Sequence, residues 1–323
     1  MAICFVITDP TQKMPFHKPH AFDIMMLPRG DISTKLYLAN VDKYKYDSFV
    51  FGSSRATAHT SKTWKTYLDK NSVPFSFGGW NESIIAIYRR IKLIDSINKP
   101  INNAFFVLDI DWAFNNGPII SDHYLITGKS KYRYYLDDYI TYLQSPMLIL
   151  TSVDYKIFHK KRAYMEGFIG MQENDWDPVN NDWMVNSEAE INADSVKYYK
   201  GSLASFYKRP AIQQFSRRRI DETSKNYLRK IMGLLKKHHT SYKIVIAPLY
   251  DQVKLNRQDR KTMNDIFGSE QIYDYSGIND ITNNMFNFNS DVLHYRKKVG
   301  DLIFKEIYRP DQFKTDTSAV LHH

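Results

Sequence analysis

Five short apolar segments, separated by stretches with helical periodicity, restrict the fold of this 323-residue chain more than any other feature. They are rich in β-branched and aromatic residues and are flanked by turn residues, as are the buried strands of a parallel sheet. The strand segments are 47–52, 73–77, 104–110, 242–247 and 271–275, and the helical ones are 54–69, 82–97, 212–238 and 295–308. This alternation predicts an α/β fold, a three-layer α/β/α sandwich with a five-stranded, mostly parallel sheet.

The connection between the third and fourth predicted strands is far longer than one crossover requires. We therefore expect a large insertion at about 112–240 within a principal domain of 47–310, preceded by an N-terminal extension of 1–46 and followed by a tail of 311–323. The polar segment 172–185 includes Trp176 and Trp183. Its composition and length predict a long loop that acts as a lid.

The formal net charge of +9 favours an anionic partner. The tight basic clusters, 217–219 and 236–239, fall in the predicted helix 212–238, where basic residues are typical of a solvated face. We therefore expect no nucleic-acid partner. A single cysteine, Cys4, excludes an internal disulfide and a cysteine-rich metal site.

The first residues, 1–7, are apolar, but they are too few to span a membrane. Two interpretations stay open for them. They are either the last turns of a hydrophobic helix whose remainder lies outside this chain, or an ordinary buried strand.

The segment FVFGSSRA places Ser53 and Ser54 directly after the first predicted strand, at the start of a helical segment. A hydroxyl there lies in the cleft where α/β sheets bind ligands, and a helix N-terminus can stabilise a developing oxyanion. The alternative is that one of these serines only caps the helix. Arg55 follows directly, and either an anionic substrate or a neighbouring carboxylate would be its partner.

A second chemical feature, Asp291-Val292-Leu293-His294, lies between the last predicted strand and the last predicted helix. An aspartate three residues before a histidine can orient the imidazole through one ring nitrogen, which leaves the other free to accept a serine proton. Loops at the carboxyl edge of the sheet could bring this pair to Ser54. The expected catalytic residues are thus Ser54, His294 and Asp291.

Metal binding has weaker support in the sequence. His17, His20 and Asp23 form a loose cluster without an evident fourth ligand, which favours an ordinary surface. Asp109 and Asp111 at a strand end could bind a cation or pair with a basic side chain. We expect neither a metal site nor a cofactor.

Three blocks of this sequence resemble blocks of the SGNH (GDSL-type) hydrolases and occur in the same order along the chain. Gly52-Ser53-Ser54 is similar to the family's Gly-Asp-Ser nucleophile block, FSFGGWN supplies a glycine after the second strand, and Asp291 with His294 matches the C-terminal Asp-x-x-His block. The resemblance covers 47–111 and 242–308. It implies a flavodoxin-like sheet, Ser54 as nucleophile, and an oxyanion hole formed by Gly79, with Gly78 close behind, together with Ser54.

The chain departs from the family in two blocks. Ser53 replaces the aspartate of the first, and Leu108-Asp109-Ile110-Asp111 stands where the third usually has Gly-x-Asn-Asp. An ionised carboxylate facing the oxyanion would oppose catalysis, so Asp109 and Asp111 must turn away, bind something else or stay protonated. Asn115 or Asn116 could replace the missing asparagine.

The Gly-Ser-Ser opening resembles a branch whose members partner membrane acyltransferases in O-acetylation of cell-envelope polymers and D-alanylation of teichoic acids. This resemblance implies a monomeric, extracytoplasmic O-acyltransferase or carbohydrate esterase, tethered by an N-terminal helix. The expected substrate is an anionic or acylated polysaccharide, with Arg55, Asp111 and Trp80 as its contacts. The alternative is a catalytically decayed scaffold that binds a glycan or a membrane-bound acyltransferase.

Overall fold

The computed structural model of the chain describes residues 1–11, 14, 29–119, 122–166, 168, 176–183 and 186–309. Within these residues, five strands form one sheet in which every pairing is parallel. They are β1 (Ser48–Gly52), β2 (Pro74–Gly78), β3 (Asn103–Leu108), β4 (Ser241–Ile246) and β5 (Ile272–Asp274). The five predicted strands and the α/β class are confirmed, and the sheet is wholly rather than mostly parallel.

The strand order β2-β1-β3-β4-β5 places β1 between β2 and β3. From β1 the chain passes to β2 on one side and then returns past β1 to β3 on the other. Ligands of open α/β sheets bind at such a reversal, outside the carboxyl ends of the strands. Gly52, the last residue of β1, pairs with Gly78 of β2 and Val107 of β3, so the chain beyond Gly52 enters this position.

The described residues include thirteen α-helices. They are α1 (Ala2–Thr8), α2 (Arg29–Tyr44), α3 (Ser61–Lys65), α4 (Ile84–Ser96), α5 (Tyr124–Thr127), α6 (Lys131–Gln144), α7 (Pro146–Phe158), α8 (Asn186–Ala193), α9 (Ser195–Ser202), α10 (Glu222–Lys237), α11 (Arg257–Phe267), α12 (Asp280–Asn283) and α13 (Lys297–Tyr308). Helices α4 and α13 match the predicted segments 82–97 and 295–308.

Side-chain caps alter two predicted helices. The segment 54–69 divides into a 3-10 helix, Ser54–Ala58, and α3, because Thr60 adopts extended backbone angles and its side chain accepts a hydrogen bond from the Thr63 N–H. The segment 212–238 is helical only from Glu222, where the Asp221 carboxylate accepts a hydrogen bond from the Ser224 N–H. The basic residues 217–219 therefore precede the helix, contrary to the prediction.

Alternate strand residues pack into two separate hydrophobic clusters, since successive side chains of a strand point to opposite faces. Phe49 and Phe51 join the larger cluster with residues of α2, α4, α10 and α11, whereas Val50 joins the smaller one with residues of α13. Neighbouring residues of β1 thus pack against different helices.

Helix α2 belongs to this core, although it lies in the expected N-terminal extension 1–46. Leu36 and Tyr37 are fully buried, and Tyr37 packs against Phe49, Phe75 and Phe77 of the sheet. Helix α2 thus packs on the sheet, and the expected domain boundaries stay a prediction. Residues 2–8 form helix α1, which removes the interpretation of residues 1–7 as a strand.

The described part of the predicted lid, 176–183, is built into the edge of the sheet. The backbone carbonyl of Asn180 accepts a hydrogen bond from the Ser76 N–H at 2.9 Å, and the Asn181 side chain donates to the Ser76 carbonyl at 2.6 Å. Trp176 and Trp183 are buried in the larger cluster. These contacts contradict a mobile lid for 176–183, whereas 172–175, 184 and 185 lie outside the described residues.

Other sequence features lie partly beyond the described residues. The loose cluster of His17, His20 and Asp23 and the tail 311–323 are outside them. Among the residues that are described, no helix has the length and apolar character needed to cross a bilayer. No group of three or more histidine, cysteine, aspartate or glutamate side chains there is arranged to hold a metal ion.

Candidate active site

Ser54 follows the carboxyl end of the interior strand β1, as the first residue of the 3-10 helix Ser54–Ala58. The glycine before the two serines is required by space. A Cβ atom on Gly52 would lie 2.6 Å from the Val107 carbonyl oxygen and 2.9 Å from the Ala56 Cβ. The capping role falls on Ser53, whose hydroxyl accepts a hydrogen bond from the Arg55 N–H. Ser54 is therefore free of that role and is half-buried.

The structure brings the three predicted catalytic residues together. Ser54 Oγ lies 2.8 Å from Nε2 of His294, and His294 Nδ1 lies 2.6 Å from Asp291 Oδ2. Both distances are those of hydrogen bonds, and the two bonds use opposite ring nitrogens of one imidazole. This is the arrangement in which a histidine removes a serine proton while a carboxylate fixes its orientation.

A tight turn holds Asp291 and His294 in this geometry. The second carboxylate oxygen of Asp291 accepts hydrogen bonds from the backbone N–H groups of Leu293 at 2.9 Å and His294 at 3.1 Å. Val292 has a positive φ of 53°, a strained conformation for a β-branched residue. The turn thus stores backbone strain beside the site while its aspartate is fixed by three hydrogen bonds.

Electrostatics favour the ionised form of Asp291. Burial opposes ionisation, but the hydrogen bond and positive charge of His294 outweigh it and hold the pKa of Asp291 below its ordinary value. A second histidine near Ser54, His59, is fully buried and pairs with the Tyr295 hydroxyl at 2.9 Å. Burial lowers the pKa of His59 to about 3, so it is a neutral core residue.

Asp109 turns away from the expected oxyanion position and ties the nucleophile turn to β3. Its buried carboxylate accepts hydrogen bonds from the Ser53 hydroxyl at 2.6 Å and from the Trp112 N–H at 2.9 Å. Arg55 Nη1 lies 3.3 Å from the same carboxylate. The two departures from the SGNH pattern, Ser53 and Asp109, are therefore direct partners.

Arg55 joins the serine turn to the histidine turn. The guanidinium is buried, and its Nε donates a hydrogen bond to the Leu293 carbonyl at 2.8 Å. With Asp109 as its second partner, Arg55 is engaged in the protein's own contacts. These contacts agree with the alternative of a neighbouring carboxylate, and the role of Arg55 as a substrate contact stays a prediction.

The expected oxyanion donors differ in their hydrogen bonding. The Gly79 N–H donates to the Gly52 carbonyl at 3.1 Å, whereas the Ser54 N–H makes no hydrogen bond to the described part of the chain. Asn116 does not reach the site, because its amide donates to Asp221 and its carbonyl oxygen accepts from the Ser224 hydroxyl. The assignment of Gly79 and Gly78 to the oxyanion hole stays a prediction.

The remaining expected substrate contacts, Asp111 and Trp80, are exposed at the carboxyl edge of the sheet. Asp111 lies 3.9 Å from Arg219. Partial burial raises the pKa of Asp111. The positive charge of Arg55 lowers this pKa, whereas the nearby carboxylates of Asp251 and Asp109 raise it further. Trp80 lines a cleft of about 280 Å³ beside the loop that follows β2.

Three residues of this region have roles that were not predicted. Ser53 was a candidate helix cap and Asp109 a candidate partner of a cation or basic side chain, but their hydrogen bond to each other was not predicted, although a hydroxyl and a carboxylate at the ends of adjacent strands can pair. Trp112 also lines the cleft. Its position could have indicated this, because Trp112 follows β3 as Trp80 follows β2.

Comparison with protein-family models and with curated proteins finds no match to this chain. The functional interpretation therefore depends on the geometry of the site and on the residues that form it.

Proposed function

We propose that this protein carries out serine-dependent acyl-ester chemistry, as an O-acyltransferase or esterase that acts on a cell-envelope or extracellular polysaccharide. The observation that carries the proposal is the continuous hydrogen-bonded chain Ser54–His294–Asp291, with distances of 2.8 Å and 2.6 Å. Its members come from opposite ends of the sequence. A structural cap or surface ion pair would not require this convergence.

In the proposed mechanism, Ser54 Oγ attacks the acyl carbon while His294 Nε2 takes the hydroxyl proton. Asp291 stabilises the imidazolium and keeps the ring in place. The tetrahedral intermediate then expels the alcohol, which leaves with the proton from His294, and an acyl-Ser54 ester remains. Water or a sugar hydroxyl then attacks this ester while His294 takes its proton. The second tetrahedral intermediate expels Ser54 Oγ, which regains the proton from His294, and the free acid or the acylated sugar is released.

The Ser54 N–H supports the oxyanion part of this mechanism, because it has no partner in the described part of the chain. We propose a Gly78 or Gly79 N–H as the second donor. For Gly79 this requires its bond to the Gly52 carbonyl to be shared or released. Asp109 does not oppose the developing charge, since Arg55 and Ser53 hold its carboxylate.

The fold supports the same proposal at a coarser level. The order β2-β1-β3-β4-β5 and the two core clusters are those expected of a flavodoxin-like, three-layer SGNH sandwich. We propose that the segment between β3 and β4 contains an insertion, whose end includes helix α10 of the core. An extracytoplasmic location and a membrane-bound acyltransferase partner are proposed from the Gly-Ser-Ser resemblance alone.

One observation favours a second candidate, a binding scaffold without turnover. The Gly79 N–H is used within the protein, and the amide of Asn116, one of the two residues that could replace the family's third-block asparagine, donates to Asp221 instead. In this case the Ser54–His294–Asp291 chain would be a structural remnant.

Labelling and turnover separate the two candidates. The full chain is incubated with a small fluorophosphonate and, separately, with an aryl acetate, and intact mass and product release are measured. We expect one adduct on Ser54, measurable acetate release, and loss of both in Ser54→Ala. Wild-type protein without adduct or release, or a Ser54→Ala variant equal to it, would refute the enzyme proposal.

A further inference from the structure

The five tryptophans of the chain divide sharply by exposure. Trp64, Trp176 and Trp183 are buried, with at most 6% of their surface exposed, whereas Trp80 and Trp112 are 45% and 40% exposed. The two exposed tryptophans line the same cleft of about 280 Å³. An exposed indole on a folded surface loses favourable burial, so a pair around one cleft indicates a binding function.

The positions of these two tryptophans relate the cleft to Ser54. Trp80 lies two residues beyond the end of β2, and Trp112 lies four residues beyond the end of β3, on the two strands that flank β1. Hydrogen bonds tie both loops to the nucleophile turn. The Gly79 N–H donates to the Gly52 carbonyl, and the Trp112 N–H donates to Asp109, which holds Ser53. Ser54 is not among the described residues that line the cleft, so a ligand between the indoles would lie on loops that are hydrogen-bonded to the nucleophile turn.

The walls of the cleft carry polar groups without free positive charge. Asn81 and Asn115 line it, and no lysine or arginine is among its described lining residues. Its carboxylates, Glu82 and Asp122, are both bonded to Arg90, which is fully buried beneath them. Amides beside flat aromatic faces suit the hydroxyls and apolar faces of a sugar ring.

The charge around the cleft disfavours an anionic ring. Besides Glu82 and Asp122, the buried Asp31 lies close to Arg90, with Lys35 as its ion-pair partner at 3.1 Å. Burial raises the pKa of Asp122 to about 7, so these three acids and two cations carry a net charge of −1 with Asp122 ionised and of zero with Asp122 protonated. Such a balance gives no net attraction for uronate or phosphate groups.

We propose that the cleft between Trp80 and Trp112 is a glycan subsite that binds one uncharged pyranose ring on loops hydrogen-bonded to the nucleophile turn. This inference rests on the proposed function and deepens it. The substrate class becomes a polymer with neutral, ester-bearing or ester-accepting sugars at the reacting position. Any anionic groups of the polymer would lie on other parts of the surface.

The test uses the Ser54→Ala protein, in which ligand cannot be consumed. Binding of neutral tetrasaccharides (chitotetraose, cellotetraose and mannotetraose) and of anionic tetragalacturonate is measured by titration calorimetry. We expect at least one neutral probe to bind more tightly than tetragalacturonate. When Trp80→Ala or Trp112→Ala is introduced into the Ser54→Ala protein, that binding should weaken about tenfold or more, as expected for the loss of one aromatic contact.

Matched variants distinguish stacking from general damage. Tyr132→Ala removes an aromatic side chain that is 76% exposed on α6, and it should leave binding unchanged. Trp80→Phe and Trp112→Phe should retain most of it, because an aromatic face remains. Absence of binding by every neutral probe, preference for tetragalacturonate, or unchanged binding in both alanine variants would overturn the proposal.

Failure of this subsite can be told from failure of the proposed function. Fluorophosphonate labelling of Ser54 needs the catalytic residues but no sugar, so it is measured on the wild-type protein separately from glycan binding. If the wild type is labelled but neither tryptophan variant changes glycan binding, the subsite is refuted and the acyl chemistry is not. Tryptophan-dependent binding with no labelling of the wild type refutes the acyl chemistry alone.

Discussion

The hydroxyl of Ser53 donates a hydrogen bond of 2.6 Å to the buried carboxylate of Asp109, which joins the turn after β1 to the end of β3. The neighbouring hydroxyl, on Ser54, bonds to His294 instead. Two adjacent serines thus have different tasks. One supports the turn, and the other is placed for chemistry.

This difference predicts opposite effects of two alanine substitutions. Ser53→Ala leaves a buried charged acceptor with one donor fewer and should lower the free energy of unfolding by about 1–3 kcal/mol. Ser54→Ala should change stability by less than about 1 kcal/mol, because Ser54 is half-buried, yet abolish fluorophosphonate labelling. Denaturant unfolding and labelling of both variants provide the measurement. Equal stability losses would contradict the assignment.

Asp291→Asn should lower kcat for aryl acetate on the order of 10²–10⁴-fold with little change in KM, because an amide cannot stabilise the imidazolium or fix its tautomer. Asp301→Asn, which removes an exposed ion pair with Lys297 on α13, is the control and should retain wild-type kinetics. A kcat of Asp291→Asn within about threefold of wild type would show that Asp291 does not serve His294.

Asp291 also predicts a direction for stability at low pH. Its pKa is lowered in the folded protein, so its ionised form stabilises the fold above the pKa of the unfolded chain. This contribution is lost as the pH falls through the lowered value. Thermal unfolding between about pH 5 and 3 should therefore show a shallower loss of stability in Asp291→Asn than in wild type. Parallel curves would contradict this.

Gly52→Ala should lower the free energy of unfolding by about 1–3 kcal/mol or more, because the new methyl group would meet the Val107 carbonyl and the Ala56 side chain. Gly78→Ala is the matched control in the neighbouring strand. Its Cβ atom would meet only the Ser76 hydroxyl, at 3.9 Å, so we expect little change. Chemical denaturation checks both, and similar losses at the two glycines would refute the steric explanation.

For Asp122 we expect the folding stability to depend on pH in the opposite direction from that of Asp291. Burial raises its pKa to about 7, and Arg90 opposes this shift only in part. As the pH rises from about 4, the unfolded chain releases this proton before the folded protein does, so folding becomes less favourable toward pH 7. Asp122→Asn should flatten that part of the stability curve. An unchanged slope in urea unfolding from pH 4 to 7 would rule out this role.

The sheet was predictable because its strands are short runs of β-branched and aromatic residues between polar turns. Ser54 and His294 were predictable because each follows a strand, and parallel strands bring their carboxyl ends to one edge. The segment 176–183 was not, since Asn180 and Asn181, which suggested a loop, instead bond to Ser76 of β2. Nothing in the sequence indicated the positive φ of Val292, because a β-branched residue rarely adopts it.

The separation of 240 positions between Ser54 and His294 has a consequence for biosynthesis. The two side chains can meet only after His294 has emerged from the ribosome. Until then, the nascent chain carries Ser54 without His294, its proposed base. Acylation of Ser54 would therefore report that translation and folding of the principal domain are complete. The chain could also be expressed as two fragments, one with Ser54 and the other with His294. If Ser54 were labelled only after the fragments are mixed, the pair could serve as a split reporter.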